Sequence, residues 1–114
     1  MQVDRHEFER LVGDAIDEVP DEFAAALEEV AVVVEDRAPP HLYPLYGLYQ
    51  GIPLTEGYAI AGALPPHISI YMYPMLQHCR TAAEVVEQVR ITVLHELGHH
   101  LGFDEERLHD LGYG

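Results

Sequence analysis

The chain has no lysine and no tryptophan, and its 114 residues include one cysteine. A lone Cys79 cannot form an intrachain disulfide, and the expected compartment is the reducing cytoplasm. Positive charge is scarce: six arginines stand against 20 acidic residues, for a net charge of −14. Such a field repels nucleic acid and anionic membrane surfaces, so neither is an expected partner; a bound cation or a basic peptide is compatible with it. No apolar run approaches the roughly 20 residues that span a bilayer. The N-terminal stretch is polar and acidic without a continuous apolar core, so a secretory signal is not expected. Apolar residues make up 48% of the chain, enough for a packed core. The length suits a single domain, residues 1–114.

Hydrophobic spacing gives a coarse order of elements. Phe8, Leu11, Val12, Ala15, Ile16 and Val19 recur on one helical face. Asp4 with Glu7 resembles a capping box, and Pro20 stops the helix. Asp21 opens a short second helix to Leu27. Residues 30–36, VAVVVED, are β-branched and apolar on both faces, which predicts a buried central strand. A Pro-, Gly- and Tyr-rich stretch follows, with a strand expected over residues 45–49 and an ordered loop or small hairpin after it. Residues 67–74, HISIYMYP, alternate Ile68, Ile70 and Met72 against Ser69, Tyr71 and Tyr73, as in a strand. Thr81 and Glu84 form a capping box for a long helix to about Leu101, with Gly102 in the C-terminal glycine position. A last short helix is expected over residues 105–111. The class is α+β with a small sheet.

The long helix carries His95-Glu96-Leu97-Gly98-His99. Residues four apart project from one helix face, so two imidazoles so placed can share one Zn²⁺. Glu96, turned about 100° around the axis, can reach a water at the metal without ligating it, the place of a general base. A shuffled chain of this composition would contain HExxH about 6% of the time, so context must support the motif. It does: the helix has a separate core stripe, read as Val86, Val89, Val93 and Leu97, roughly 150° from His95 and His99. His100 lies near the stripe and is expected to pack. Catalytic zinc needs a third protein ligand and an open position. Gly102 can take a positive φ and turn the chain back, offering Asp104, Glu105, Glu106, His109 or Asp110. With Glu105 the sequence reads HExxHxxGxxE, a pattern expected by chance about once in a thousand shuffles.

That pattern resembles the HExxHxxGxxH of metzincin peptidases, with Glu in the third-ligand place. The chain is also similar to a family of small bacterial zincin-like metallopeptidases, through LYGLYQGIPL (residues 45–54), HISIYMYP (67–74) and ITVLHELGHHLGFDEERLHDLGY (91–113). The resemblance implies an acid ligand at Glu105 rather than Asp104, beside His95 and His99, with Glu96 catalytic. It implies a minimal zincin-like fold: a small mixed sheet packed on an active-site helix, with N-terminal helices. It implies zinc-dependent hydrolysis of peptide or protein substrates. In zincins an edge strand above the helix binds extended substrate, and HISIYMYP is the candidate strand. Metzincins place a methionine turn after the ligands, whereas no methionine follows Met75 here, and nine residues follow Glu105. The alternative reading is a non-catalytic zincin-like module that binds metal or peptide.

The remaining groups read as structural. Tyr43, Tyr46, Tyr49, Tyr71 and Tyr73 are expected to pack, with a substrate groove as the alternative. Tyr113 or His109 could donate to an oxyanion, though a helix-end contact is the expected role. Cys79 reads as a small buried hydrophobe. His41 and His78 read as surface residues.

Overall fold

A computed structural model describes residues 1–42, 45–51 and 65–110. The hairpin expected after residue 51, Tyr43, Tyr113 and the final Leu111 lie outside the described residues. Helix α1 (Arg5–Asp17) begins where Asp4 Oδ1 accepts the Glu7 amide at 2.8 Å. Phe8, Leu11, Val12 and Ala15 are its buried face. The second helix is a 3₁₀ turn, Asp21–Phe23, running into α2 (Ala24–Glu28). Strand β1 (Ala31–Glu35), strand β2 (Gly47–Gln50) and strand β3 (His67–Tyr71) form one sheet. Helix α3 (Met72–His78), helix α4 (Ala82–His100) and helix α5 (Glu105–Asp110) complete the described order. The expected α+β class with a small mixed sheet is what the structure shows.

Two strand expectations are corrected. The sheet order is β1-β3-β2, with β1 parallel and β2 antiparallel to β3. The central strand is therefore β3, not the β-branched run 30–36. Burial follows: Ile68, Ser69, Ile70 and Tyr71 are all buried, while β1 alternates exposed and half-buried and leaves Val33 39% exposed. Arg5 donates to the Val34 carbonyl at 2.7 Å and pairs with Asp36, covering part of the β1 edge. The second correction concerns residues 67–74. The strand ends at Tyr71, and Met72–His78 is helical. Pro74 falls in the first turn of that helix, where its missing N–H leaves no intrahelical bond unmade.

Register fixes which side chains share a face. Val32 and Val34 pair with Ile68 and Ile70, and these pair in turn with Tyr49 and Gly47. All six therefore point to one side of the sheet, the side that packs on α4. Helix α1 packs on α4 as well. Phe8, Leu11, Val12, Ala15, Val85, Val89 and Val93 meet Ile68 and Ile70 in one apolar cluster. The α4 stripe starts at Val85, fully buried, and not at Val86, which is half-buried against the cluster. Removing Phe8 to alanine at such a site costs about 3–5 kcal/mol.

Candidate metal centre

Helix α4 places the two histidines. Thr81 Oγ1 accepts the Glu84 amide at 3.1 Å and starts the helix. Glu84 returns its carboxylate to the Arg80 amide, at 2.5 Å, one residue before the position a capping box would use. Three helical turns on, His95 and His99 project together, with ring centroids 5.0 Å apart and planes at 77°. Their side chains are 23% and 30% exposed, off the buried stripe.

The chain then reverses within five residues. Gly102 takes φ 87, a conformation that costs L residues and suits glycine. Its amide bonds the His99 carbonyl at 3.0 Å, and the Phe103 amide bonds that of Gly98 at 2.9 Å. This paired arrangement is a Schellman motif, and it satisfies carbonyls at the end of α4. Asp104 Oδ1 then accepts the Arg107 amide at 2.8 Å, capping α5. Asp104 is thus engaged as a cap, and Glu105 becomes the first residue of the new helix.

Glu105 reaches back to both histidines. Its Oε1 lies 3.3 Å from His95 Nε2 and 3.0 Å from His99 Nε2. Of the five candidates for a third ligand, Glu105 is the one brought between the imidazoles. Glu106, His109 and Asp110 are exposed on α5. Two imidazole nitrogens and one carboxylate oxygen converging within such distances are a donor set that suits Zn²⁺. The metal expected from the motif therefore fits the residues present.

Glu96 occupies a different environment. Its side chain is 11% exposed, against 69% for that of Glu105. Its Oε1 accepts the Tyr49 backbone N–H at 2.7 Å, and its Oε2 stands 3.7 Å from His95 Nε2. Donor atoms of His95, Glu96 and His99 all lie within 4.8 Å of one another, so Glu96 belongs to the cluster by distance. The strand hydrogen bond separates its role from that of Glu105: one oxygen is committed to the fold and one faces the histidines. Burial pushes the Glu96 carboxyl above its ordinary value; the Tyr49 amide, His99 and His95 pull against that shift.

The strand beside the site is β2, which packs on α4 and lies at an edge of the three-stranded sheet among the described residues. HISIYMYP supplies the central strand instead, so it is not the edge expected to meet substrate. A groove of about 220 Å³ adjoins the site, lined by Tyr46, Gly47, Ile91, Thr92, His95 and Glu96. Tyr46 and Tyr49 pack against the core and Tyr71 is buried, as expected, while Tyr73 is exposed beneath the Arg37 guanidinium at 4.9 Å. Tyr46 also bonds His78 Nδ1 at 2.6 Å. Cys79 is buried, and burial pushes its thiol up. His100 is 2% exposed, as packing predicts, and its Nδ1 meets the Tyr49 hydroxyl at 2.8 Å. The contribution of Tyr49 was not read from the sequence. The available signal was a run of polar residues, Thr92, Glu96 and His100, spaced by four along α4.

Comparison with known proteins gives a family match and a structural match. The family model for zincin-like metallopeptidases matches residues 27–114. A solved structure of a conserved hypothetical protein from Thermus thermophilus superposes with a TM-score of 0.59 at 28% sequence identity, covering 87% of this chain and 94% of the other. No curated protein matches the sequence.

Proposed function

The chain belongs to the zincin-like metallopeptidase family, and from that membership we propose that it is a zinc-dependent endopeptidase. His95, His99 and Glu105 hold the metal, and Glu96 is the catalytic base. The observation that carries this reading is the placement of Glu105 Oε1 at 3.3 and 3.0 Å from the two Nε2 atoms, with Glu96 recessed beside them. When bound, zinc supplies Lewis acidity that polarises a peptide carbonyl and makes a water molecule more acidic. Glu96 takes a proton from that water at Oε2, while Oε1 stays on the Tyr49 amide. The protonated carboxyl then returns the proton to the departing amine. Burial raises its affinity for a proton, which suits a carboxyl that must hold one briefly.

The substrate is a peptide or protein segment. The net charge of −14 supports that class over nucleic acid or an anionic membrane. No helix among the described residues is long and apolar enough to cross a membrane. The groove lined by Tyr46, Gly47, Ile91 and Thr92 offers a substrate side chain room beside the base.

The test combines metal analysis with hydrolysis of a peptide library. Wild-type protein should carry one zinc and cleave. Glu96→Gln should keep the zinc and lose at least about a hundredfold in kcat. Full hydrolysis by the zinc-bearing variant would refute the mechanism. Zinc without cleavage in the wild type would favour the binding-module reading.

A further inference from the structure

Three of the buried polar residues of this protein lie one turn apart on α4: Thr92, Glu96 and His100, at 7%, 8% and 2% exposure. Spaced by four, they form one ridge of the helix. Strand β2 lies along that ridge. A Cβ on Gly47 would stand 2.6 Å from Thr92 Cγ2, so a side chain there would force the strand away. Tyr49 engages the other two positions. Its amide donates to Glu96 Oε1 at 2.7 Å, and its hydroxyl meets His100 Nδ1 at 2.8 Å.

Strand pairing explains why that amide is available. The Tyr71 amide bonds the Tyr46 carbonyl at 2.9 Å, so position 46 is a hydrogen-bonded rung of the β2–β3 ladder. Rungs alternate in antiparallel pairs, which turns the backbone polar groups of Gly47 and Tyr49 to the outer edge. There Glu96 receives the Tyr49 N–H. The His100 ring has its other nitrogen, Nε2, buried and 3.8 Å from Glu29 Oε2. Nε2 has no hydrogen-bond partner there, so the ring is held through Nδ1 and the phenol hydroxyl.

We propose that Tyr49 is a positioning residue for Glu96, latched by His100, so that strand β2 determines which oxygen of the base faces the metal site. The proposal rests on the role given to Glu96 above. A carboxylate turns easily about its last torsion. The amide stops that rotation by occupying Oε1, which leaves Oε2 toward His95. One residue gripping two helix positions a turn apart fixes both the height and the tilt of the strand. Without the phenol latch the amide remains, but its distance to Glu96 is no longer held.

The experiment follows hydrogen exchange at the amide of position 49 in metal-free protein, with kcat and KM on a cleaved peptide. Glu96→Gln should shift the amide resonance, since a charged acceptor becomes neutral. Tyr49→Phe and His100→Leu should speed its exchange about tenfold or more. They should lower kcat about tenfold to a hundredfold, with KM within about twofold and zinc content unchanged. His100→Asn, whose side-chain oxygen stands near the place of Nδ1, should restore both. An amide resonance indifferent to Glu96→Gln overturns the proposal. So does faster exchange without loss of kcat, or loss of kcat without faster exchange. If His100→Leu does not fold, Tyr49→Phe decides, since it removes one oxygen. If the wild type cleaves nothing, the peptidase reading fails, while the exchange data still decide whether the latch holds Glu96.

Discussion

Leu108 rests directly on Gly98. A Cβ at Gly98 would stand 2.2 Å from Leu108 Cδ2, and Leu108 is fully buried. This contact docks α5 on α4 and so carries Glu105 to the histidines. The glycine inside HELGHH is therefore a packing requirement for the position of Glu105. Gly98→Ala should leave α4 helical, since alanine favours a helix by about 1 kcal/mol over glycine. It should nevertheless displace α5 and weaken zinc binding, by about tenfold or more on the scale seen when residues supporting metal ligands are changed. A zinc competition titration beside far-UV circular dichroism checks both halves. Unchanged affinity would show that Glu105 reaches the site without this docking.

The three proposed ligands should act together on stability. Excess zinc should raise the melting temperature of the wild type in proportion to the logarithm of its concentration over Kd. His99→Ala should abolish that response. Glu105→Ala should reduce it while leaving some, because the two imidazoles remain 5.0 Å apart on one rigid helix. Thermal melts across a zinc series give the answer, and an undiminished response in Glu105→Ala would remove Glu105 from the ligand set.

The buried base should make metal-free protein sensitive to pH in a defined direction. Burial raises the folded-state affinity of Glu96 for its proton above the ordinary carboxyl value of 4.5. The native state then binds more protons than the unfolded chain between the two pKa values. The contribution of Glu96 to stability is complete below 4.5 and is lost as pH rises through the folded value. Glu96→Gln removes that dependence, so metal-free variant and wild type should diverge toward alkaline pH, with the variant the more stable. Urea midpoints at several pH values test this; parallel curves would contradict it.

Cys79 should be nearly inert in the native protein. It is 8% exposed and its thiol is pushed up by burial, with Glu84 adding to the shift. Alkylation at neutral pH should therefore proceed far more slowly in the folded chain than in urea. Mass spectrometry over a time course measures the ratio, and comparable rates would show that α3 opens readily.

What the sequence makes legible follows the range of each contact. Periodicity located α1 and α4, and the caps at Asp4 and Thr81 formed as their side chains dictate. The outward pair His95 and His99 followed from helix geometry alone. Gly102 is legible because a helix ending and restarting within a few residues is a local event, whereas Glu105 stands out from the other four candidates only through the family resemblance. Strand order was not. The run 30–36 is as apolar as a central strand, yet β3 takes the centre because β1 and β2 reach it from opposite sides, a fact of long-range pairing. Residues 72–74 alternate like a strand, but Pro74 finds a place in the first turn of α3. The contacts of Tyr49 with Glu96 and His100 are illegible for the same reason: these partners lie 47 and 51 residues away.

That difference in range orders how the site is assembled. His95 and Glu105 are ten residues apart, joined by the end of α4 and the reversal at Gly102. Tyr49 must find Glu96 across 47 residues. Closing the longer loop costs about 1.4 kcal/mol more entropy than closing the shorter, before the ordering of the sheet is counted. The contact of His95 with Glu105 is therefore the less costly of the two to close, while that of Glu96 with the Tyr49 amide needs β2 docked on α4. The site is thus held by one local closure and one long-range closure, and the second depends on the sheet.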